Sequence, residues 1–227
     1  MSIRKLVFGV IRSMLLFVAM LFLPAGTLAW PRAWAFLAVV LVGTVASVVS
    51  LYRANRELLR ERFKAPIQKG QPAADKILVL VFIAGYVGQI VFIPLDVFRF
   101  HLLAEPPMIV SVLGLMLFLV GWWIVHLVLL ENAFASPAVR LQEERQHRLV
   151  DTGVYRVVRH PMYAGMIPML VGMSLWLGSY AAALAVIVPI GLLAIRILIE
   201  ERFLRRELPG YDEYPRRVRY RMIPGVW

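Results

Sequence analysis

The sequence has 227 residues, 60% of them hydrophobic and 17% charged, whereas an ordinary soluble domain is about half apolar and a quarter charged. Its formal net charge is +11 and it contains no cysteine, which excludes a disulfide framework, a thiolate nucleophile and a cysteine-ligated metal. The basic residues flank apolar runs and form no interleaved aromatic platform, so membrane topology and anionic lipid headgroups account for them and nucleic acid does not.

The first apolar segment runs from about Ser13 to Ala29. Arg4, Lys5 and Arg12 ahead of it imitate a signal peptide, but Trp30, Pro31 and Arg32 stand where a small-residue cleavage site would be, so a retained helix is expected. Pro31 fills a tight link to a second segment, Trp34 to Leu51, and the pair is expected to form a hairpin with Trp30 and Trp34 at a membrane interface. A basic loop over 52–76 follows. Within it, Asn55 to Lys64 reads as an amphipathic helix ended by Pro66 and Gly70, with Leu58, Leu59 and Phe63 against the membrane as an interfacial anchor.

Four further apolar segments are Ile77 to Leu95, Met108 to Leu130, Pro161 to Leu177 and Tyr180 to Ile199. The fold class expected is all-α: a polytopic integral membrane helical bundle of about six transmembrane helices. No internal repeat is visible, and no polar group stands out at the bilayer midplane, both of which a small transporter would favour. His126, beside Trp122 and Trp123 in the fourth segment, is read as a packing residue outside the site.

Cytoplasmic loops carry the excess of Lys and Arg. Arg4, Lys5 and Arg12, then Arg53 to Lys76, then Arg140 to Arg159 and finally Arg202 to Arg221 all fall on one side, with Arg32 and Arg99 opposite. Both termini are therefore expected in the cytoplasm, with the whole in a bacterial inner membrane.

The composition changes after Leu130, where His, Tyr, Glu and Arg gather. The division expected is helices one to four over 1–130, with the basic loop, and a chemistry-bearing region over 131–227. Three segments in that region stand out. His147 to Tyr155 runs into Arg159-His160-Pro161-Met162-Tyr163-Ala164-Gly165, a polar loop entering an apolar helix. Pro161 suits a first helical turn, whose unpaired N–H groups form an anion site; the plainer role is a simple helix start, with Tyr163 interfacial and Gly165 a packing residue. Arg196 and Glu200 stand four apart on one helix face, with Glu201 next, as partners or ligands if that face is buried. The tail from Gly210-Tyr211-Asp212-Glu213-Tyr214 to Arg217-Val218-Arg219-Tyr220-Arg221 is too polar to span and too aromatic to be idle, and is expected to fold back as a lid.

Together the run of His147, Leu149, Val150, Gly153 and Tyr155, the Arg159 to Gly165 stretch and the Arg196, Glu200, Glu201 ending resemble the isoprenylcysteine carboxyl methyltransferase family and its relatives among phospholipid methyltransferases. The resemblance covers about Leu141 to Trp227 and implies a membrane methyltransferase with a cytosolic donor site. S-adenosyl-L-methionine would be held by His147, Arg148, Leu149, Val150, Tyr155, His160, Pro161, Met162, Tyr163 and Glu200, while Arg196 would face the methyl acceptor, with Arg196 and Glu200 as the catalytic pair. The acceptor implied is a lipophilic small molecule or lipid-anchored group, a carboxylate or a lipid headgroup, drawn from among membrane lipids. No metal is required. A carboxylate acceptor needs no general base, whereas an amine or thiol would turn to Glu200, Glu201 or His160. Rival readings are a membrane NADPH-dependent sterol or steroid reductase, which shares a related C-terminal arrangement, and a non-enzymatic transporter or assembly protein.

Overall fold

The structure, a computed structural model, describes residues 3–227. Long apolar runs satisfy their backbone within helices when water is absent, and the described residues form nine α-helices, with short 3-10 and π turns in the connections, a long segment between α5 and α6, and no strand. They are α1 (Ile3–Ala25), α2 (Pro31–Ala54), α3 (Arg56–Arg62), α4 (Ala73–Leu95), α5 (Met108–Glu131), α6 (Pro161–Leu177), α7 (Tyr180–Ala185), α8 (Ile187–Glu207) and α9 (Tyr214–Arg217). Five stretches are long and apolar enough to span a membrane: α1, α2, α4 with its extension to Phe100, α5, and α7 with α8. The sixth, α6, has 17 residues, roughly 25 Å at 1.5 Å per residue, and is buried among the others. The chain is an integral membrane helical bundle.

Three features differ from the sequence reading. α1 begins at Ile3 and takes in Arg4, Lys5 and Arg12, whose long stems let the charged heads leave an apolar surface. The sixth apolar segment is two helices, broken at Val186. Pro189 lies four residues after Ala185, where α7 ends; its ring would collide with that carbonyl in a continuous helix, but it is tolerated in the first turn of a new one. α3 is not an anchor in lipid: Leu58 and Leu59 are buried against Leu6, Leu51, Leu129 and Ala135, and Phe63 alone stays exposed. Asn55 caps that helix by accepting from the Leu58 N–H at 2.9 Å.

α5 and α6 form the tightest pair. Gly114 and Gly121 on α5 face Gly172 and Gly165 on α6, and a Cβ built on Gly165 would lie 2.9 Å from the Gly121 carbonyl oxygen. Small residues let backbones approach where lipid supplies no hydrophobic drive. Elsewhere, buried Gln89 donates to Ser174 Oγ at 3.1 Å, a polar tie between spanning helices that the sequence reading does not mark. At the end opposite the basic loops, Asp96 accepts from Ser179 Oγ at 2.6 Å and Trp176 donates to the Arg32 carbonyl at 2.9 Å.

Candidate active site at the basic end of the bundle

The segment between α5 and α6, the start of α6, the end of α8 and the tail meet at one end and enclose a cavity open to solvent. His147, Arg148, Leu149, Val150, Tyr155, His160, Pro161, Met162, Tyr163 and Glu200 all line it. These residues, separated by as many as 53 positions, are the full set of donor ligands that the family resemblance implies.

Local sequence explains how each is held. Pro161 occupies the first position of α6, so the N–H groups of Met162 and Tyr163 belong to a first turn without intrahelical acceptors. His160 precedes it with its ring stacked at 10° on Tyr163, centroids 5.7 Å apart. The Tyr163 hydroxyl donates to Glu200 Oε2 at 2.7 Å, which fixes a carboxylate on the cavity wall. Gly153 sits at φ +52 beside the Glu131 carboxylate, a left-handed backbone conformation that favours glycine at this turn. It delivers Tyr155, whose hydroxyl accepts from Asn132 Nδ2 at 2.8 Å.

His147 stacks on Phe134 with centroids 4.5 Å apart. Burial, aided by Arg145 and Arg140, lowers its pKa to about 4, so the ring is neutral near pH 7. Burial also pushes up the phenols of Tyr155, Tyr211 and Tyr214, and all three remain protonated donors.

The tail closes the cavity. Tyr214 donates to the Tyr155 carbonyl at 2.7 Å, and the backbone N–H groups of Arg159 and His160 donate to the Tyr220 and Arg221 carbonyls at 2.9 and 2.8 Å. Glu201 fastens both layers, accepting from Arg159 Nε at 2.7 Å and Arg221 Nε at 3.2 Å, with His160 Nε2 at 3.3 Å. Tyr211 lines the cavity, and its buried hydroxyl has no partner among the described residues.

Arg196 departs from its expected place. It does not line the cavity and does not pair with Glu200: its Nε donates to Asp75 Oδ1 at 3.0 Å, and a terminal nitrogen donates to the Pro137 carbonyl. Its guanidinium carbon lies 5.8 Å from the centroid of the Tyr163 ring, so Arg196 stands behind the cavity wall. Asp75, fully buried, also accepts from the Val139 N–H at 3.0 Å and Gln71 Nε2 at 2.5 Å. The sequence reading misses Asp75, which looks like a first-turn acid of α4, and Asn132 and Phe134, which follow α5 in a segment without a motif. The run from Asn132 to Pro137 offers one signal in retrospect, since a polar, aromatic and proline-bearing stretch directly after a spanning helix is an unusual plain connector. His126 stays outside the cavity as expected, although its buried Nδ1 has no partner among the described residues. No group of three metal-ligating side chains occurs among the described residues.

A family model described as phospholipid methyltransferase matches residues 109–209. A protein of Oryza sativa subsp. indica named "Probable protein-S-isoprenylcysteine O-methyltransferase" is 34% identical over 112 residues, which is 48% of this chain and 59% of the relative. Protein-S-isoprenylcysteine O-methyltransferase B of Arabidopsis thaliana is 35% identical over 82 residues, 35% of this chain and 42% of the relative. The chain thus spans less than two thirds of the length of these relatives. The phospholipid methyltransferase match over residues 109–209 contains His147 to Gly165 and Arg196 to Glu201, the segments that carry the resemblance, and the chain is similar over part of its length to the two named O-methyltransferases.

Proposed function

We propose that the chain is an S-adenosyl-L-methionine-dependent membrane methyltransferase acting on a lipophilic acceptor, with its termini and its donor cavity in the cytoplasm. The observation that carries this reading is the convergence of His147, Tyr155, His160, Tyr163 and Glu200 on one cavity at the basic end. The fit to the donor rests on the cavity's own chemistry. Glu200 offers a carboxylate to an amine or hydroxyl, the first turn of α6 offers N–H groups to a carboxylate, and Tyr211 offers a buried hydroxyl that has no partner among the described residues. The faces of Phe134, His147 and Tyr155 suit a ring or a sulfonium.

When bound, the donor supplies a methyl carbon whose bond to sulfur breaks, the electron pair returning to sulfur, as the acceptor atom forms its new bond to carbon. The protein positions the partners and excludes water. The tail covers the cavity, Glu201 holds the tail, and Arg196 acts as a positioning residue through Asp75, Pro137 and Tyr163. With Glu201 bound to Arg159, Arg221 and His160, a carboxylate acceptor, which sheds no proton, suits this site better than an amine.

Titration of the purified protein with S-adenosylhomocysteine and with NADPH tests the reading. Micromolar binding of the first with no response to the second is expected, together with methyl incorporation from labelled donor into a lipid extract. Binding of NADPH alone would overturn it in favour of a reductase.

A further inference from the structure

A second cavity of about 270 Å³ lies beside the first, between α4, α5 and α6. One side of α6 lines it with Met162, Met166, Met169 and Met173, residues three or four apart and so on one helical stripe. Met162 lines both cavities, which makes them neighbours across a single side chain. The wall is otherwise mostly apolar, with Tyr86 from α4 and one charge, Arg62, from the end of α3.

Arg62 is the unusual group. It is partly buried, yet no ion pair among the described residues includes it, whereas the other partly or fully buried arginines at this end of the bundle, Arg140, Arg145, Arg159, Arg196 and Arg221, all have carboxylate partners. A guanidinium withdrawn from water without an anion is costly, and its planar fork matches a carboxylate. The packing of Leu58 and Leu59 into the protein core, not into lipid, holds α3 so that Arg62 reaches this cavity. Methionine is flexible and polarizable, which suits a surface that receives an apolar chain of variable shape.

We propose that Arg62 is the specificity-determining residue for the methyl acceptor: it clamps an anionic carboxylate head next to Met162 while the methionine-lined cavity seats the acceptor's single apolar chain. This rests on the methyltransferase reading above and adds to it a residue from the amino-terminal part of the chain, outside the family match. Arg196, already bound to Asp75 and Pro137, leaves this role open.

The test measures binding of long-chain amphiphiles that share one apolar chain and differ only in head, a carboxylate, an amine or an alcohol, to the full chain in phosphatidylcholine nanodiscs. The wild-type protein should prefer the carboxylate, and Arg62→Gln should lose that preference by about tenfold, the equivalent of one lost charge-assisted contact. Arg62→Lys should keep part of it, while Met166→Trp should weaken all three amphiphiles alike. S-adenosylhomocysteine binding, measured in parallel, should be unchanged in every variant and reports that each is folded. A carboxylate preference that survives in Arg62→Gln, or equal binding of the three heads by wild type, overturns the proposal. Failure of wild type to bind S-adenosylhomocysteine counts against the donor reading alone, because the amphiphile comparison does not use it.

Discussion

Arg196 on α8 and Asp75 on α4 form a buried ion pair, Nε to Oδ1 3.0 Å, that fastens the third spanning helix to the last, and Asp75 also holds the segment between α5 and α6 through the Val139 N–H. Asp75 is completely buried. Removing one member of such a pair strands the other charge at a cost of about 3–5 kcal/mol, whereas removing both together costs much less. Asp75→Asn and Arg196→Met should each lower the unfolding temperature in detergent strongly, and the double variant should recover a large part of the loss. Additive losses in thermal unfolding would show that the two charges do not depend on each other.

This pair also marks where sequence reading stops. The helices and the donor segment were legible because their signals are local: long apolar runs, Pro161 at a helix start, and a motif whose residues lie within about 20 positions of one another. The partner of Arg196 lies 121 residues away, and its nearest carboxylate in sequence, Glu200, is instead held by Tyr163. Likewise, the apolar stripe of α3 told only that Leu58 and Leu59 seek an apolar surface. Whether that surface is lipid or the Leu6, Leu51 and Leu129 cluster depends on tertiary packing that no periodicity encodes. The break at Val186 did have a local cause, Pro189, but an unbroken apolar run concealed it.

His147 gives a pH dependence with a definite sign. Its folded pKa is about 4 against an ordinary value of about 6.5, so acidification protonates the unfolded chain first. Stability should fall as the pH drops from about 6.5 to about 4 and level off below that, because both states then carry the proton. Glu144, lowered to about 2 mainly by its hydrogen bond from Arg140, acts in a separate window, below about 4.5. Unfolding temperatures from pH 7 to 4 should therefore slope less in His147→Gln than in the wild type; identical slopes would mean that the ring is not withheld from protons.

Glu201 should govern the tail. Its carboxylate joins Arg159 at the mouth of α6 to Arg221 in the tail, so Glu201→Ala leaves Arg159 buried without an anion and unfastens residues 214–227. Trypsin should then cut at Arg216, Arg217 and Arg219 faster than in the wild type, and S-adenosylhomocysteine should protect those bonds less. Unchanged cleavage rates would show that the backbone bonds from Arg159 and His160 to the tail suffice.

The α5–α6 contact admits no extra methyl group. A Cβ at Gly165 meets the Gly121 carbonyl oxygen and Val125 at 2.9 Å, and backbone atoms cannot step aside as a flexible side chain does. Gly165→Ala should separate the helices, costing about 1–3 kcal/mol, and should displace His160 and Tyr163 at the nearby start of α6, weakening donor binding along with stability. Gly191→Ala, which meets nothing within 4 Å, serves as the control and should leave both unchanged. A Gly165→Ala protein with wild-type unfolding temperature would contradict the close approach.

Tyr163→Phe separates the ring from the hydroxyl. The ring stacks on His160 and faces Arg196, while the hydroxyl alone fixes Glu200 at 2.7 Å. Loss of a hydrogen bond to a charged group costs about 1.5–3 kcal/mol of folded-state stability, so the unfolding temperature of the free protein should fall, and S-adenosylhomocysteine should bind more weakly because Glu200 is no longer held on the cavity wall. Glu200→Gln should weaken binding at least as much, because it removes the charge itself as well as its orientation. The two substitutions act on one contact and should not add in the double variant. Isothermal titration of the three proteins decides the matter: full additivity, or unaltered affinity in Glu200→Gln, would mean that the donor does not meet this carboxylate.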